Sequence, residues 1–437
     1  MQTEPCRQPQ VQSETESPSE ANQGNQPLLQ FQDIQLERLC PDLYFRRIDY
    51  PDLLLGQTSL AELLVQPMQY LDDLLPSRTL EGAPEMVHRN EVLFIDTETT
   101  GLGRGPGNFP FLYGLAYIRE NGLVFEQYFL NGPGAEAEFQ AILREKVSHF
   151  AAICSYNGKS FDVPLIRNRF VLLGERFKAP PVHLDLFHFW RSIGGGMRKA
   201  ASGPVEAKKK ARLSMKGFKQ KNMEEEVLGF FRQNDLPGAE VPQVYFDFRK
   251  YGRGERMSEV LRHNEWDLQG LALLFLKAIS LVNNERDQVA LYRSGIARMF
   301  LRHGKSQESA RILRELSQVT DRDYQDSLLY GDRILLGNVL KRNKRYVEAD
   351  EVFEGLFRKY RCMQSCIEMS RYREFRLKEL DSALEVAQEG LELLEFRGVD
   401  ESNRYFQDLK RRTTRLRTRM EKQQRDTESK VSTENSK

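Results

Sequence analysis

Residues 92–101 read VLFIDTETTG and place two acidic residues at the end of an apolar strand. Val92 to Ile95 is a short run rich in strand-forming residues, and a polar segment follows it at once. Side chains two residues apart in a strand project from one face, so we expect Asp96 and Glu98 to project together. Neighbouring carboxylates repel unless a cation joins them, and oxygen ligands suit Mg²⁺ or Mn²⁺. A surface Asp-x-Glu pair is also common without a metal.

Strand and helix signals alternate on the C-terminal side of this stretch. FLYGLAYI (111–118) and LVFEQYFL (123–130) are strand-like and are joined by Asn121-Gly122, a pair that favours a hairpin. We therefore expect the first three strands to pair antiparallel. Further strands are predicted at 151–156 and 182–186, and helices around 139–143, from about 160 and over 258–282. This pattern predicts an α/β layer fold.

The composition excludes several classes of protein. The 437 residues carry 64 Lys+Arg and 63 Asp+Glu, so the net charge of +1 announces no nucleic-acid or membrane partner for the whole chain. The apolar stretch 268–282 contains Gln269 and Lys277 and is too short to span a bilayer. No secretory signal begins the sequence, so we expect a cytoplasmic protein. The five cysteines include no CxxC pair, which argues against a disulfide framework and a zinc knuckle.

Asp162, His263 and Asp267 are further candidates for chemistry. Asp162 stands near the start of a predicted helix, where a carboxylate also interacts favourably with the helix N-terminus. His263 and Asp267 are four residues apart on a predicted helix and share a face. Taken singly, each has an ordinary structural explanation. Together with Asp96 and Glu98 they give the order Asp-x-Glu, Asp, His-x-x-x-Asp.

This order resembles the DnaQ-type 3′-5′ exonucleases of the ribonuclease H-like fold, and in particular their bacterial YprB-like branch. The resemblance covers about residues 92–281, and helical repeats also follow the nuclease-like domain in that branch. It is carried by FIDTETTGL (94–102), FLYGL (111–115), SYNGKSFDVPLI (155–166), HLDL (183–186), VLGFFRQNDLPGAEVPQVYFDF (227–248) and HNEWD (263–267).

The resemblance implies a role for each acidic residue of the pattern. Asp96, Glu98, Asp162 and Asp267 would bind metal, and His263 would be the general base. Two Mg²⁺ or Mn²⁺ ions would then catalyse phosphodiester hydrolysis at a 3′ end of DNA or RNA. In the family's histidine subgroup the histidine precedes the last aspartate by five residues, and here by four. Because four residues place the side chains about 40° apart and five about 140°, the choice of base stays open.

Two basic segments are candidates for phosphate contact. Nine basic residues and one acid lie between residues 197 and 222, and we expect Lys208, Lys209, Lys210 and Lys216 to bind substrate together with Asn157 of the SYNGKSF turn. Solvation of an exposed loop explains the same charge. A second basic cluster, at 410–425, is interpreted as a solvated helix face.

The strand signals end after residue 284. Leu336-Gly337, Tyr346, Ala349 and Phe353 fall at the offsets of a tetratricopeptide unit, and Ala383 follows Ala349 by 34 residues. The alternative is a generic helical domain.

The sequence divides into five predicted segments. The segment 28–87 has short helical groups such as LAELL (60–64) and YLDDLL (70–75). The full set is a disordered tail (1–27), an N-terminal extension (28–87), a ribonuclease H-like exonuclease domain (88–284), a helical TPR-like repeat domain (285–426) and a disordered tail (427–437).

We therefore predict an α/β protein: a ribonuclease H-like mixed sheet flanked by helices, followed by an all-α helical-repeat domain. The predicted function is a metal-dependent 3′-5′ exonuclease whose repeats dock a protein partner or substrate. Two alternatives remain open, a non-catalytic scaffold that binds nucleic acid or protein, and a ribonuclease H-fold endonuclease.

Overall fold

The chain forms two compact units. The computed structural model describes residues 28–65, 87–200 apart from positions 102, 104, 106 and 121, 217–283, 290–318 and 326–434. One unit contains a large sheet and the helices up to Asn283, apart from residues 196–200, and the other contains those residues and the helices from Ala290 onwards. Among the helices of these ranges, none combines the length and apolar character needed to cross a membrane.

The first unit is built on an eight-stranded mixed sheet in the order β1-β2-β3-β8-β7-β6-β9-β10. β6 pairs in parallel with β9, β9 pairs in parallel with β10, and every other neighbouring pair in the sheet is antiparallel. The predicted hairpin and the antiparallel pairing of β6, β7 and β8 are therefore confirmed. The strands are β1 (Leu28–Phe31), β2 (Ile34–Cys40), β3 (Leu43–Tyr50), a separate two-stranded pair β4 (Leu54–Leu55) and β5 (Thr58–Ser59), β6 (Val92–Thr99), β7 (Pro110–Arg119), β8 (Gly122–Leu130), β9 (Ala152–Ser155) and β10 (Val182–Asp185).

Residues 28–50 correct the sequence prediction. Only helical groups were predicted in this part of the chain, but these residues form β1, β2 and β3, and β3 pairs with β8 over its whole length. The physical reason is a period of two: Ile34, Leu36, Leu43 and Phe45 are buried, which is the pattern of a strand with one face on a core. The LAELL group is helical as predicted (α1, Leu60–Leu64), and the group at 70–75 lies outside the described residues.

Helices cover both faces of the sheet. On one face, Leu93 and Ile95 of β6 join a core with Phe139, Ile166 and Phe170 from two helices. On the other face, aromatic residues of β7 and β8 pack against residues 241–261. The helices are α2 (Glu136–Ser148), α3 (Asp162–Leu172), α4 (Leu186–Ala200), α5 (Gln220–Met223), α6 (Val241–Tyr251) and α7 (Met257–Asn283), and a π-helical turn spans Glu224–Leu228.

The second unit is all-helical. Its helices are α8 (Ala290–Arg302), α9 (Ser306–Gln318), α10 (Asp326–Arg342), α11 (Tyr346–Tyr360), α12 (Met363–Tyr372), α13 (Leu380–Phe396) and α14 (Arg404–Glu434), with a π-helical turn at Arg373–Leu377. α10 and α11 pack closely because Gly337 has no side chain: a Cβ there would lie 2.6 Å from the Phe353 ring. Ala349 of α11 and Ala383 of α13, the two alanines that are 34 residues apart, are also buried. The predicted mixed sheet with flanking helices is therefore present. The all-helical region that was predicted to follow it is present as well.

Candidate active site

The pleat of β6 directs Asp96 and Glu98 toward α7. Upstream on the same face, the Phe94 ring meets the Phe275 ring of α7 with centroids 5.2 Å apart. Asp96 Oδ2 accepts a hydrogen bond of 2.8 Å from Asn264 Nδ2 of α7. The alternation of a strand therefore presents both acids to one helix, as the Asp-x-Glu spacing predicts.

Asp162 reaches the same strand end from the other face of the sheet. It is the first residue of α3, and its Oδ1 accepts a hydrogen bond of 2.6 Å from Thr97 Oγ1, which lies between the two acids of β6. A Cβ at Gly158 would lie 2.5 Å from Ser155 Oγ and 3.0 Å from Asp162 Oδ2. The turn before α3 thus passes too close to Ser155 for a side chain at position 158, and the same side chain would crowd the carboxylate of Asp162.

Asn157 lies in this turn, which a buried carboxylate fixes. Its backbone is left-handed (φ 65°), a conformation that asparagine tolerates better than most residues. Asp185 at the end of β10 accepts hydrogen bonds from the N–H groups of Asn157 (2.8 Å), Lys159 (3.0 Å) and Phe187 (3.1 Å). Asn157 therefore lies in the turn that leads to Asp162, and Asp185 fixes the backbone of that turn. The other predicted substrate-binding residues, Lys208, Lys209, Lys210 and Lys216, lie outside the described residues.

His263 and Asp267 lie on the face of α7 that points toward Glu98 of β6. His263 Nε2 lies 3.3 Å from Asp267 Oδ2, and ligand atoms of Glu98, His263 and Asp267 all lie within 4.8 Å of one another. The four-residue spacing therefore directs both side chains to one point. On the other side of the imidazole ring, Nδ1 lies 2.6 Å from Asp235 Oδ1.

Asn264 is a site residue to which the sequence analysis gave no role. It is fully buried, and its carbonyl Oδ1 accepts a hydrogen bond of 2.7 Å from Gln127 Nε2 of β8 while its amide holds Asp96. A Cβ at Gly114 of β7 would lie 2.2 Å from Asn264 Oδ1, so the strand provides the space for this side chain. The HNEWD motif contains Asn264, but only the fold shows its partners.

Arg232 is a second residue to which no role was given. Its side chain is 1% exposed, and its Nη2 donates to Asp267 Oδ1 at 2.6 Å and to Glu224 Oε1 at 2.7 Å. Nη1 lies 3.6 Å from Asp235 Oδ2. A Cβ at Gly270 would lie 2.0 Å from Glu224 Oε1, so α7 makes room for this ion pair. Arg232 thus links Asp267 to Asp235, the carboxylate that contacts Nδ1 of His263.

The acids at the end of β6 resist ionisation. Burial, followed by the charges of Asp267, Glu98 and Asp162, raises the pKa of Asp96 well above its ordinary value. Burial raises the pKa of Glu98 to about 8, although the charge of His263 opposes the shift. Burial also raises the pKa of Asp162 to about 6 against the hydrogen bond from Thr97. The negative charges of these carboxylates therefore disfavour one another's ionisation, which a bound cation would relieve.

The pKa of His263 shifts in the direction that favours the protonated, cationic form of the ring. Burial would lower its pKa, but the hydrogen bond to Asp235 and the charges of Asp267 and Glu98 raise it to about 9. Over the described part of the chain, Glu98, His263 and Asp267 form the one group of three His, Cys, Asp or Glu residues close enough to hold a metal ion. A cluster of carboxylate oxygens whose negative charge is not balanced by nearby cations suits a divalent metal ion.

Comparison with known proteins agrees with this architecture. Residues 93–279 match the RNase H superfamily. The chain is also 31% identical over 315 residues to an uncharacterised protein, YprB of Bacillus subtilis (strain 168), and the alignment covers 70% of each chain. The chain belongs to the RNase H superfamily.

The RNase H superfamily match begins in β6 and ends within α7. It therefore spans every described element that contributes Asp96, Glu98, Asp162, His263 and Asp267. Membership in the superfamily indicates a nuclease-like domain, and divalent metals are typical of RNase H-like nucleases. The strands β1, β2 and β3 lie before the match and extend the sheet beyond it.

Proposed function

We propose that the RNase H-like unit is a 3′-5′ exonuclease of the DnaQ type that hydrolyses nucleic acid. The observation that carries the proposal is the cluster of Glu98 from β6 with His263 and Asp267 from α7. Asp96 is hydrogen-bonded to Asn264 of the same helix, and Asp162 of α3 to Thr97 between the two acids of β6. Two Mg²⁺ or Mn²⁺ ions would be held by these four carboxylates. The chemistry that such ions supply when bound is positive charge beside a phosphate and a water of lowered pKa.

The residues around the acids act as positioning groups in this proposal. Asn264 orients Asp96, Thr97 orients Asp162 and Arg232 orients Asp267. Each donor occupies one oxygen of its carboxylate, and the second oxygen of Asp267, Oδ2, lies 3.3 Å from His263 Nε2. Fixed carboxylates are favourable because a divalent ion demands a defined geometry.

His263 is our candidate for the general base. The acceptor Asp235 on Nδ1 favours the tautomer in which Nδ1 carries the proton, so Nε2 is the nitrogen that exchanges a proton on the side of Asp267 and Glu98. The raised pKa keeps the ring of His263 protonated at neutral pH in the metal-free protein. Positive charge bound at Glu98 and Asp267 would lower that pKa, so that Nε2 could accept a proton. Asn157 is proposed to contact substrate next to Asp162.

Cleavage of a 5′-labelled single-stranded oligonucleotide tests the activity. With Mg²⁺ or Mn²⁺ we expect a ladder that shortens from the 3′ end for DNA or RNA, and no ladder in EDTA or in the Asp96→Asn and Asp162→Asn variants. Asp49→Asn, which changes an exposed carboxylate on β3, is the matched control and should retain the ladder.

A circular single-stranded substrate separates the alternatives. An exonuclease leaves a circle intact because the circle has no end, whereas an endonuclease cuts it. Cutting of the circle would overturn the exonuclease proposal in favour of an endonuclease. If linear and circular substrates both stay intact with either metal, the unit is a binding platform and the enzymatic proposal fails.

The all-helical unit is proposed to be a TPR-like docking module. The close packing at Gly337, Ala349 and Ala383 supports this proposal, since small residues at these points let helices of a repeat approach. Its partner is proposed to be a protein or the nucleic-acid substrate. Affinity purification with the full chain, compared with a chain that ends after residue 288, would identify a partner that needs the helices.

A further inference from the structure

The all-helical unit contains a groove lined by aromatic rings and arginines. It has a volume of about 520 Å³ between α10, α11 and α12. The rings of Tyr346 and Tyr372 stack with centroids 6.2 Å apart and planes 20° apart. Phe375, in the π-helical turn after α12, is 56% exposed at the edge of the groove. Apolar surface that is rimmed by polar residues marks interaction sites.

The groove has more cations than its acids neutralise. Lys341 and Arg371 both bind Glu368. Arg376 contacts Tyr346, with its guanidinium 4.3 Å from the ring centroid and Nη2 donating to the hydroxyl at 2.9 Å, and forms no ion pair with an acid in the described part of the chain. Arg342, exposed at the end of α10, has no acidic partner among the described residues. The positive charge of two arginines therefore remains available to a ligand.

The positive charge continues from Phe375 onto α14. The buried carboxylate of Glu374 accepts hydrogen bonds from Arg412, Arg415 and Arg419, so one negative charge is shared by three guanidinium groups. Arg415 and Arg419 are about half exposed, and the Arg415 guanidinium lies 5.8 Å from the Phe375 ring centroid. Part of the basic cluster at 410–425 is thus bound to Glu374, and its exposed part lies next to the groove.

We propose that this arginine-aromatic groove (Arg342, Tyr346, Tyr372, Phe375 and Arg376) binds single-stranded nucleic acid. Unpaired bases stack on exposed rings such as that of Phe375, and arginines track the phosphates, which is the combination that single-strand sites use. A duplex would leave the rings uncovered because its bases are already stacked. A peptide of acidic residues alone would use the charges and leave the rings unused. The site lies wholly within the helical unit and does not depend on the proposed cleavage.

Binding of a 5′-fluorescein-labelled (dT)₂₀ strand to the full chain in EDTA tests the groove. Fluorescence anisotropy is measured over a range of salt concentrations, and EDTA together with Asp96→Asn prevents cleavage. We expect Arg342→Ala/Arg376→Ala to weaken binding at least roughly tenfold and to lower the salt slope by about 1.4, since a single strand contributes about 0.7 per phosphate contact. Phe375→Ala should weaken binding roughly fivefold or more, as expected for one lost base stack.

Arg358→Ala is the matched control, because Arg358 is an exposed arginine of α11 that binds Glu354 and does not line the groove. It should bind as the unchanged chain does, and all variants should keep the same melting temperature. Photo-cross-linking with a 5-iodouracil-substituted strand should label peptides containing Tyr346, Tyr372 or Phe375. Unchanged affinity and salt slope in the groove variants would overturn the proposal. Equal competition by a polyglutamate chain would also overturn it, in favour of an acidic peptide.

The experiments distinguish a failure of the groove proposal from a failure of the exonuclease proposal. Loss of cleavage in Asp162→Asn with unchanged binding in the groove variants refutes the groove alone. Weaker binding in the groove variants with no cleavage by the unchanged chain refutes the exonuclease alone.

Discussion

The guanidinium of Arg232 lies 2.6 Å from Asp267 Oδ1 and is almost completely excluded from solvent. The same group binds Glu224, which is also buried, and neighbours Asp235. One internal cation therefore holds an acid of the candidate site before any metal binds. Arg232 is an ion-pair partner of both Glu224 and Asp267. Gln220 also donates to Glu224, and His263 also contacts Asp267.

Removal of this partner should be costly. We predict that Arg232→Met lowers the free energy of unfolding by about 3–5 kcal/mol, because it leaves the buried carboxylate of Glu224 without a counter-charge. Urea unfolding of the metal-free protein measures the change. Arg256→Met is the control: Arg256 binds Glu240 and Glu259 at the surface, and its loss should cost less than about 1 kcal/mol. Equal losses in the two variants would show that Arg232 has no special role.

The stability of the metal-free protein should fall as pH rises from about 4.5 to 9. Glu98 has a pKa of about 8 in the folded chain and an ordinary value when unfolded, so the folded state binds more protons between these values. The folded pKa of His263 is likewise raised, to about 9, and its contribution is lost as pH rises through that value. Both groups therefore act in the same direction.

Thermal unfolding in EDTA across this pH range measures the effect. Glu98→Gln should flatten the dependence because it removes the group that resists ionisation. Mn²⁺ should raise the melting temperature most at the upper end of the range, where the carboxylates are ionised. A matched change of an exposed acid of α7, Glu259→Gln, should leave the pH dependence unaltered. A melting temperature that rises with pH in EDTA would contradict the prediction.

The contact between β7 and α7 predicts the effect of a single added methyl group. Gly114→Ala would place its Cβ 2.2 Å from Asn264 Oδ1 and 2.6 Å from Leu268 Cδ1, so α7 must move away from the strand. We expect a loss of about 1–3 kcal/mol of stability, as for overpacking in a core, together with weaker Mn²⁺ binding by calorimetry. Gly238→Ala, where the added Cβ meets nothing within 4 Å, should change neither quantity. If both variants behave alike, Asn264 does not need this space.

Much of the site could be predicted because its residues follow local rules. β6 and α7 have a clear apolar pattern, and the spacings of Asp96 with Glu98 and of His263 with Asp267 place each pair on one face. The roles of these residues as metal ligands and base are still predictions. The strands of residues 28–50 were missed although their alternation was visible.

The partners of the acids could not be predicted from spacing. Arg232 is an ordinary arginine in sequence, and only the packing of the π-helical turn against α7 gives it Glu224 and Asp267 as partners. Asn264 likewise depends on β8 for Gln127 and on β7 for the space at Gly114. Buried polar networks join residues far apart in the chain, so a local pattern contains no signal for them.

Asp185 provides the last prediction, since its fully buried carboxylate holds the turn that leads to Asp162. Its two oxygens accept the N–H groups of Asn157, Lys159 and Phe187. In Asp185→Asn one oxygen becomes an NH₂ group that faces a backbone donor, and at least one charge-assisted hydrogen bond is lost. We expect a loss of about 1.5–3 kcal/mol of stability.

The same substitution should weaken Mn²⁺ binding and nucleic-acid cleavage at temperatures far below melting, because the released turn no longer fixes Asp162 against Thr97. Urea unfolding and calorimetric titration measure the two effects separately. Asp49→Asn, an exposed carboxylate that binds only Arg47, should leave both unchanged. Reduced stability with unaltered Mn²⁺ affinity would mean that Asp185 stabilises the fold without positioning the acid, and unaltered stability would refute the role of the three hydrogen bonds.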